Sequence, residues 1–324
     1  MTALAELARV SSRVAGTASR LAKIGALAGL LRRLAPDEVA IALPYLSGDI
    51  RQGRLSLGYA TLRNAMGRPA AASSLMLAEV DAIFSQLKAV KGKGAAGRRN
   101  ALVSALFARA SAEEQDFLLR LLVGELRQGA LEGVMLEAVA AAAGVPAAKV
   151  RRAATFAGAL APVAEAALQG GEAALERFSV RPMQPVLPML AQSAEDAGAA
   201  LRALGTALVE WKLDGARVQV HKAGDEVRLY TRNLNDVTSR APEIVSAVQS
   251  IAARELILDG EAIALRPDRR PHPFPVTMSR FGSQQEDERR RAQLPLSVFF
   301  FDCLYLDGAS LFDHPTRERR DALQ

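Results

Sequence analysis

The sequence predicts two parts: an all-α half, followed by an α+β half with mostly antiparallel pairing. Three observations carry this reading. Over residues 1–178, rich in Ala and Leu, apolar residues recur at spacings of three and four, and strand-like alternation is absent. Residues 179–191, SVRPMQPVLPMLA, hold three prolines within seven positions, which forbids a helix. From Val209 onward, alternating apolar residues between turn signals replace the helical period. A chain of 324 residues suffices for two such domains. The expected organisation is a helical domain over 1–178, a Pro-rich extended linker over 179–191, and an α+β domain from 192 to 324.

Within the first half, FLLRLLVGEL (117–126) and LEAVAAAAGV (136–145) read as amphipathic helices. The half also repeats itself: SGDIRQGRL (47–55) matches VGELRQGAL (123–131) at an offset of 76. The register runs upstream, with Pro36-Asp37-Glu38 opposite Ala112-Glu113-Glu114 and Lys23 opposite Arg99. A duplicated helical unit follows, each copy presenting an Arg-Gln-Gly turn. Glycine ends a helix cheaply and lets backbone approach a partner, while arginine forks onto phosphate. Arg51 with Gly53 and Arg127 with Gly129 are therefore candidates to grip a duplex from two sides. Read blandly, they are helix C-caps of a duplicated bundle. Lys88 to Arg99 reads as a flexible basic loop. Its Lys91, Lys93, Arg98 and Arg99 are candidates for phosphate-backbone contact, or plain solvated charges.

After the proline segment, Ala194–Leu208 is expected to add one more helix. Val209–Lys212 reads as a strand running into Asp214-Gly215. Arg217–Lys222 alternates, with Arg217, Gln219 and His221 on one face and Val218 and Val220 on the other. Ala223-Gly224-Asp225 is a turn, and Val227–Thr231 returns as a hairpin arm. Pro242 opens a helix to about Ala253. Leu256–Leu265 reads as a strand broken at Asp259-Gly260, and Leu296–Leu306 as a buried strand.

Composition excludes several classes. Half the residues are hydrophobic and 23% charged, as in globular proteins. No apolar run is long enough to span a membrane, and the N-terminus lacks the pattern of a secretory signal. One cysteine, Cys303, precludes an intrachain disulfide and fits a reducing cytoplasm. The histidines at 221, 272 and 314 are scattered, which argues against structural zinc. The net charge of +6 is uneven. Residues 1–178 hold 22 Lys+Arg against 15 Asp+Glu, and the remainder 19 against 20. A positive excess in the helical half suits a polyanionic partner or a solvated basic surface.

The sharpest feature is Glu210-Trp211-Lys212-Leu213-Asp214-Gly215-Ala216-Arg217. A lysine beside a glycine turn stands at a cleft edge. As a nucleophile it must lose a proton, and desolvation or nearby cations favour that loss. Arg217 is the nearby cation and Asp214 a candidate orienting carboxylate. The pattern K-x-D-G-x-R arises by chance in roughly one unrelated chain of this length in a few hundred, judged from average residue usage.

This octet resembles the first signature motif of ATP-dependent DNA ligases, within the covalent nucleotidyltransferase superfamily. Thr231-Arg232-Asn233, Leu258-Asp259-Gly260-Glu261 and Phe299-Phe300-Phe301-Asp302-Cys303-Leu304-Tyr305-Leu306-Asp307-Gly308 resemble three further motifs in order. The proline segment and the duplicated helical half are similar to what precedes them in that family. The resemblance implies an adenylation domain, with ATP and Mg2+ as cofactors and nicked double-stranded DNA as partner. It implies that Lys212 attacks the α-phosphate of ATP and carries AMP. Glu210 would contact the adenine amino group, Arg217 and Glu261 the ribose hydroxyls, Arg232 a phosphate, and Phe301 would stack on the purine. The metal ligands are not identified, Glu261 being one possibility.

The family pattern continues where this chain stops. A Glu-Gly strand, a pair of lysines and an OB-fold domain are expected to follow, so the chain is expected neither to seal a nick alone nor to adenylate well. It is expected to be a cytoplasmic, nucleoid-associated monomer. The alternatives are an RNA ligase or capping-type enzyme, and a DNA-binding module with an incomplete catalytic domain.

Overall fold

In the computed structural model, residues 1–126, 132–282 and 293–324 are described. The chain divides into two units, one of residues 1–154 with 159–177, the other of 155–158 with 178–324.

The first unit is helical: α1 Leu4–Ala15, α2 Arg20–Leu31, α3 Pro36–Ser47, α4 Tyr59–Ala65, α5 Leu77–Ala89, α6 Ala95–Ala108, α7 Ala112–Val123, α8 Glu132–Ala143, α9 Ala147–Ala157 and α10 Ala161–Leu175. The repeat is visible in α3 and α7. Both are 12 residues long, and each ends at a left-handed glycine, Gly48 with φ 88° and Gly124 with φ 77°. In α3, Val39, Ala42, Leu43 and Leu46 form a buried stripe at helical spacing. At the start of α7, Ser111 and Glu114 form a full capping box, with Glu114 accepting from Ser111 N at 2.8 Å. At the start of α3 the cap position is Ala35, which has no side-chain oxygen. Glu38 still accepts from Ala35 N, at 3.2 Å, and turns inward to Thr2, whose N and Oγ1 donate at 2.6 and 2.7 Å. The two copies interlock reciprocally: α1 packs on α7 and α5 on α3, while α2 packs on α8 and α6 on α4. Such pairing is that of a pseudo-twofold.

Two expectations for this unit need correction. The basic segment Lys88 to Arg99 is only partly a loop, since α5 runs to Ala89 and α6 starts at Ala95. Arg98 donates to the carbonyls of Lys91 and Lys93 (2.8 and 2.9 Å), and Arg99 to that of Val90 (2.9 Å). The short bend is thus fastened by the arginines read as free. Second, Arg51 does not stand open. It forks onto buried Asp81, which also accepts from Gln52 Nε2 (3.1 Å) and the Tyr45 hydroxyl (3.3 Å). Arg127 and Gly129 lie outside the described residues.

The second unit is built on one antiparallel sheet of five strands, in the order β2-β1-β3-β4-β5. These are β1 Ala216–Ala223, β2 Glu226–Thr231, β3 Glu255–Ala264, β4 Leu296–Leu306 and β5 Ala309–Ser310. Helices α11 Ala197–Leu204, α12 Pro242–Gln249, α13 Phe274–Gly282 and α14 Thr316–Asp321 accompany it. Val218, Val220, Leu256, Leu258 and Cys303 bury one sheet face against Ile244 and Val248 of α12 and Phe281 of α13. The predicted hairpin and its two faces are present, with Val218 opposite Thr231.

Three second-half expectations differ from what is found. Val209–Lys212 is not a strand: it has no ladder partner, Leu213 N donates back to Trp211 O at 3.1 Å, and Trp211 is 93% exposed. Alternation alone cannot make a strand where no edge receives it. β3 is unbroken at Asp259-Gly260; the irregularity lies in β4, where Asp259 pairs with Asp302 but Gly260 with Phe300, so Phe301 is an extra, bulged residue. A Cβ at Gly260 would lie 2.7 Å from Phe299 O and 2.9 Å from Phe300 Cδ1, so the glycine admits the bulged strand. Last, residues 179–191 are not extended throughout: Arg181–Gln184 is a tight turn, with Gln184 N donating to Arg181 O at 3.3 Å and Met183 at φ 67°. The segment lies along the sheet face opposite the α12 core, where Val186 packs with Ile257 and Leu304.

Candidate active site

The face opposite the core carries polar rows. Ladder pairing sets Arg217 beside Glu261 and Glu261 beside Phe299, then Gln219 beside Asp259 and Asp259 beside Asp302. His221 beside Ile257 forms the next row. Buried polar groups on this face must find partners, and the proline segment provides several. Gln219 Oε1 accepts from Val186 N (2.8 Å), and Gln219 Nε2 donates to Val186 O (3.2 Å). Met183 N donates to His221 Nδ1 (3.0 Å), so the imidazole proton sits on Nε2, facing Gln219 Oε1 at 2.8 Å. Burial pushes His221 down to about 4. The Tyr230 hydroxyl donates to Met183 O at 3.1 Å. The cover that Met183 and Val186 lay over Gln219 and His221 could not be read from the sequence, although a β1 face of Arg, Gln and His inside a folded sheet signals that something polar must cover it.

Beyond the covered rows, at the end of the sheet where β1 begins and β2 stops, the predicted residues gather. Arg217 forks onto Asp259 (Nε–Oδ1 3.0 Å, Nη2–Oδ2 2.6 Å) and donates from Nη1 to Met189 O (3.1 Å). Its guanidinium carbon lies 5.7 Å from the centre of the Phe301 ring, within reach of a cation–π contact. The β4 bulge is what presents Phe301 there. Asp259, quoted in the motif but given no role, is thus the partner that fixes Arg217. Burial lifts its carboxyl above the ordinary range, against the pull of Arg217. Arg217 is itself held more firmly protonated by the hydrogen bonds to Asp259.

Glu261 Oε1 accepts from Gly215 N at 3.1 Å. Burial raises its carboxyl, opposed by that N–H and by the charges of Lys212 and Arg217. Gly215 is required by contact rather than by φ: a Cβ there would fall 2.4 Å from Ala262 O and 2.7 Å from Ile263 Cγ1. The turn presses against β3 and delivers Lys212 beside Glu261. Lys212 itself is exposed, its Nζ donating to Leu213 O at 3.1 Å. Lys212 thus stands in solvent, and the Arg217 charge near it in sequence is paired with Asp259. Asp214 is also exposed.

Arg232 sits on the exposed turn after β2, next to Thr231, which pairs with Val218. It therefore leaves the sheet at the same end as Arg217. Glu210 is placed differently from the rest, its Oε1 meeting Arg320 Nη1 of α14 at 3.2 Å. α14 packs on β4, where Arg319 forks onto Asp302 (2.7 and 3.1 Å). Among the described residues no three His, Cys, Asp or Glu side chains converge as a metal site, and no single helix is long and apolar enough to cross a membrane.

Comparison with known proteins adds to this geometry. Residues 188–324 match the family model "ATP dependent DNA ligase domain", and residues 59–140 match "DNA ligase N terminus". A "Probable DNA ligase" of Anaeromyxobacter sp. (strain Fw109-5) is 56% identical over 322 residues, covering 99% of this chain and 62% of that protein. One of Mycolicibacterium paratuberculosis is 53% identical over 325 residues, with coverage of 99% and 62%. The chain thus spans about 62% of the length of these relatives. The solved structure Pmar-Lig_PreS3 shares the fold, with TM-score 0.54 at 12% identity over 98% of this chain and 62% of that one.

Proposed function

Since this chain belongs to the ATP-dependent DNA ligase family, we propose that Lys212 is the residue that takes up AMP on the way to sealing nicks in duplex DNA. The observation that carries the proposal is the seating of the Lys212–Gly215 turn on Glu261, at the sheet end that also bears Arg217, Phe301 and Arg232. Lys212 Nζ attacks the α-phosphorus of ATP; the bond to the bridging oxygen breaks, pyrophosphate leaves, and AMP remains on nitrogen. The nucleotidyl group then passes to the 5′-phosphate of the nick, and the 3′-hydroxyl displaces AMP to close the backbone.

In this reading Phe301 stacks on adenine, with Arg217 against its ring. Glu261 and Arg217 meet the ribose, and Arg232 meets a phosphate. Mg2+ bound with the triphosphate would supply charge neutralisation for in-line displacement. The basic helical unit holds the duplex through phosphates, with the exposed Lys91 and Lys93 as its leading contacts. Gly53, left-handed at φ 63°, leaves room for close backbone approach. The forks of Arg51, Arg98 and Arg99 are engaged within the unit, so these three shape the surface more than they reach from it.

The test is incubation with α-labelled ATP and Mg2+ followed by denaturing electrophoresis, with Lys212→Ala as control. The expected result is a labelled band, weak in the wild-type chain and lost in the variant. A folded wild-type chain that takes no label sets the adenylation reading aside for this chain and leaves duplex binding by the helical unit as the leading function.

A further inference from the structure

The segment that carries Lys212 is poorly held. Between Gly205, which ends α11, and Gly215, which enters the sheet, the chain has no ladder partner. Leu208, Val209 and Trp211 are 53%, 84% and 93% exposed. Among the described residues two polar contacts fasten this stretch to the rest of its unit. One is Gly215 N to Glu261, at its C-terminal end. The other is Glu210 to Arg320, two residues before Lys212.

The second contact rests on a braced support. Arg319, the neighbour of Arg320, forks onto Asp302 and donates also to His314 O. Asp302 directly follows Phe301. The successive arginines of α14 therefore link the strand that presents Phe301 to the segment that presents Glu210 and Lys212. Arg320 reaches Glu210 through a single oxygen, Oε1, which leaves Oε2 free to accept a further hydrogen bond.

We propose that Arg320 is a positioning residue: by holding Glu210, it sets the Lys212 segment over the Phe301 end of the sheet and keeps one oxygen of Glu210 turned to accept from an adenine amino group. The role in nucleotide choice rests on the function proposed above; the tether itself does not. As a hydrogen-bond acceptor, the Glu210 carboxylate matches the amino group at position 6 of adenine and repels the carbonyl at the same position of guanine.

The single tryptophan of the chain, Trp211, lies between Glu210 and Lys212 and gives a readout independent of catalysis. Fluorescence anisotropy decay of Trp211 is measured without nucleotide in the wild-type chain, Arg320→Ala, Glu210→Ala, the double variant and Arg320→Lys. The tether predicts faster local depolarisation in both single alanine variants, no further change in the double variant, and partial recovery with lysine, at unchanged circular dichroism. Equilibrium binding of ATP and GTP to the same proteins is the second arm. ATP binding is expected to weaken about threefold to fivefold in Arg320→Ala, the scale of an exposed ion pair, with GTP binding unchanged. Identical Trp211 decay in Arg320→Ala and the wild type overturns the proposal. Equal weakening for ATP and GTP overturns its nucleotide-selecting part. Absence of ATP binding by the wild-type chain removes the proposed function while leaving the tether result to stand on the anisotropy.

Discussion

His221 gives a test that needs no substrate. The ring is fully buried, accepts from Met183 N and donates to Gln219, and stacks edge-on against Tyr230 with centroids 5.1 Å apart. Protonating Nδ1 would place a second donor against the Met183 N–H in a dry site. Burial accordingly pushes its pKa from 6.5 to about 4. The unfolded chain therefore binds a proton at this residue before the folded chain does. Stability from a neutral His221 is complete above pH 6.5 and drains away as the pH falls towards 4. With 1.36 kcal/mol for each pH unit between those values, the loss is on the order of 3 kcal/mol. Urea unfolding is to be followed from pH 7.5 to 4 in the wild type and in His221→Gln, whose amide can keep both hydrogen bonds without titrating. The expected difference is a steeper fall for the wild type below pH 6.5, and a His221 NMR titration midpoint near 4. Parallel curves, or a midpoint near 6.5, would refute the account of the covered face.

Two further outcomes follow from contacts already described. Gly215→Ala forces a displacement of about 1 Å between the turn and Ala262 O, taking roughly 3.4 Å as the closest ordinary contact; since the turn is the looser side, melting should change little while Lys212 labelling falls about 100-fold, as a misplaced nucleophile dictates. Asp81→Ala strips the partner from Arg51, Gln52 and the buried Tyr45 hydroxyl, and should cost about 2–3 kcal/mol by urea denaturation, whereas Arg20→Ala, which breaks a solvent-exposed pair with Glu137, should leave the midpoint in place.

How much could be read in advance depended on whether the signal was local. The repeat was legible because α3 and α7 each keep their apolar stripe, acidic first turn and terminal glycine. The β1–β2 hairpin was legible because Ala223-Gly224-Asp225 closes alternating arms. Glu210–Arg217 was legible as a site because its residue types suit one chemistry at one spacing. Partners distant in sequence were not legible. Nothing near Arg51 announces Asp81, thirty positions on, so a paired guanidinium passed for a free one. Asp259-Gly260 resembled a strand break, because a glycine that admits a bulge in the opposite strand carries the same letters as one that ends a strand. Val209–Lys212 had the alternation of a strand, but a strand is a property of two segments and only one was in view.

The interlock of the helical repeats has a consequence for synthesis on the ribosome. Each copy completes its packing on helices of the other, α1 on α7 and α2 on α8. The first copy therefore emerges with its apolar stripes open, and must wait while the second is translated. Folding of this unit is one late event spanning more than a hundred residues rather than two early local ones, and its rate should follow that of a high-contact-order topology despite its all-helical content. The duplication that gives two matching helix ends also means that neither copy is a domain by itself.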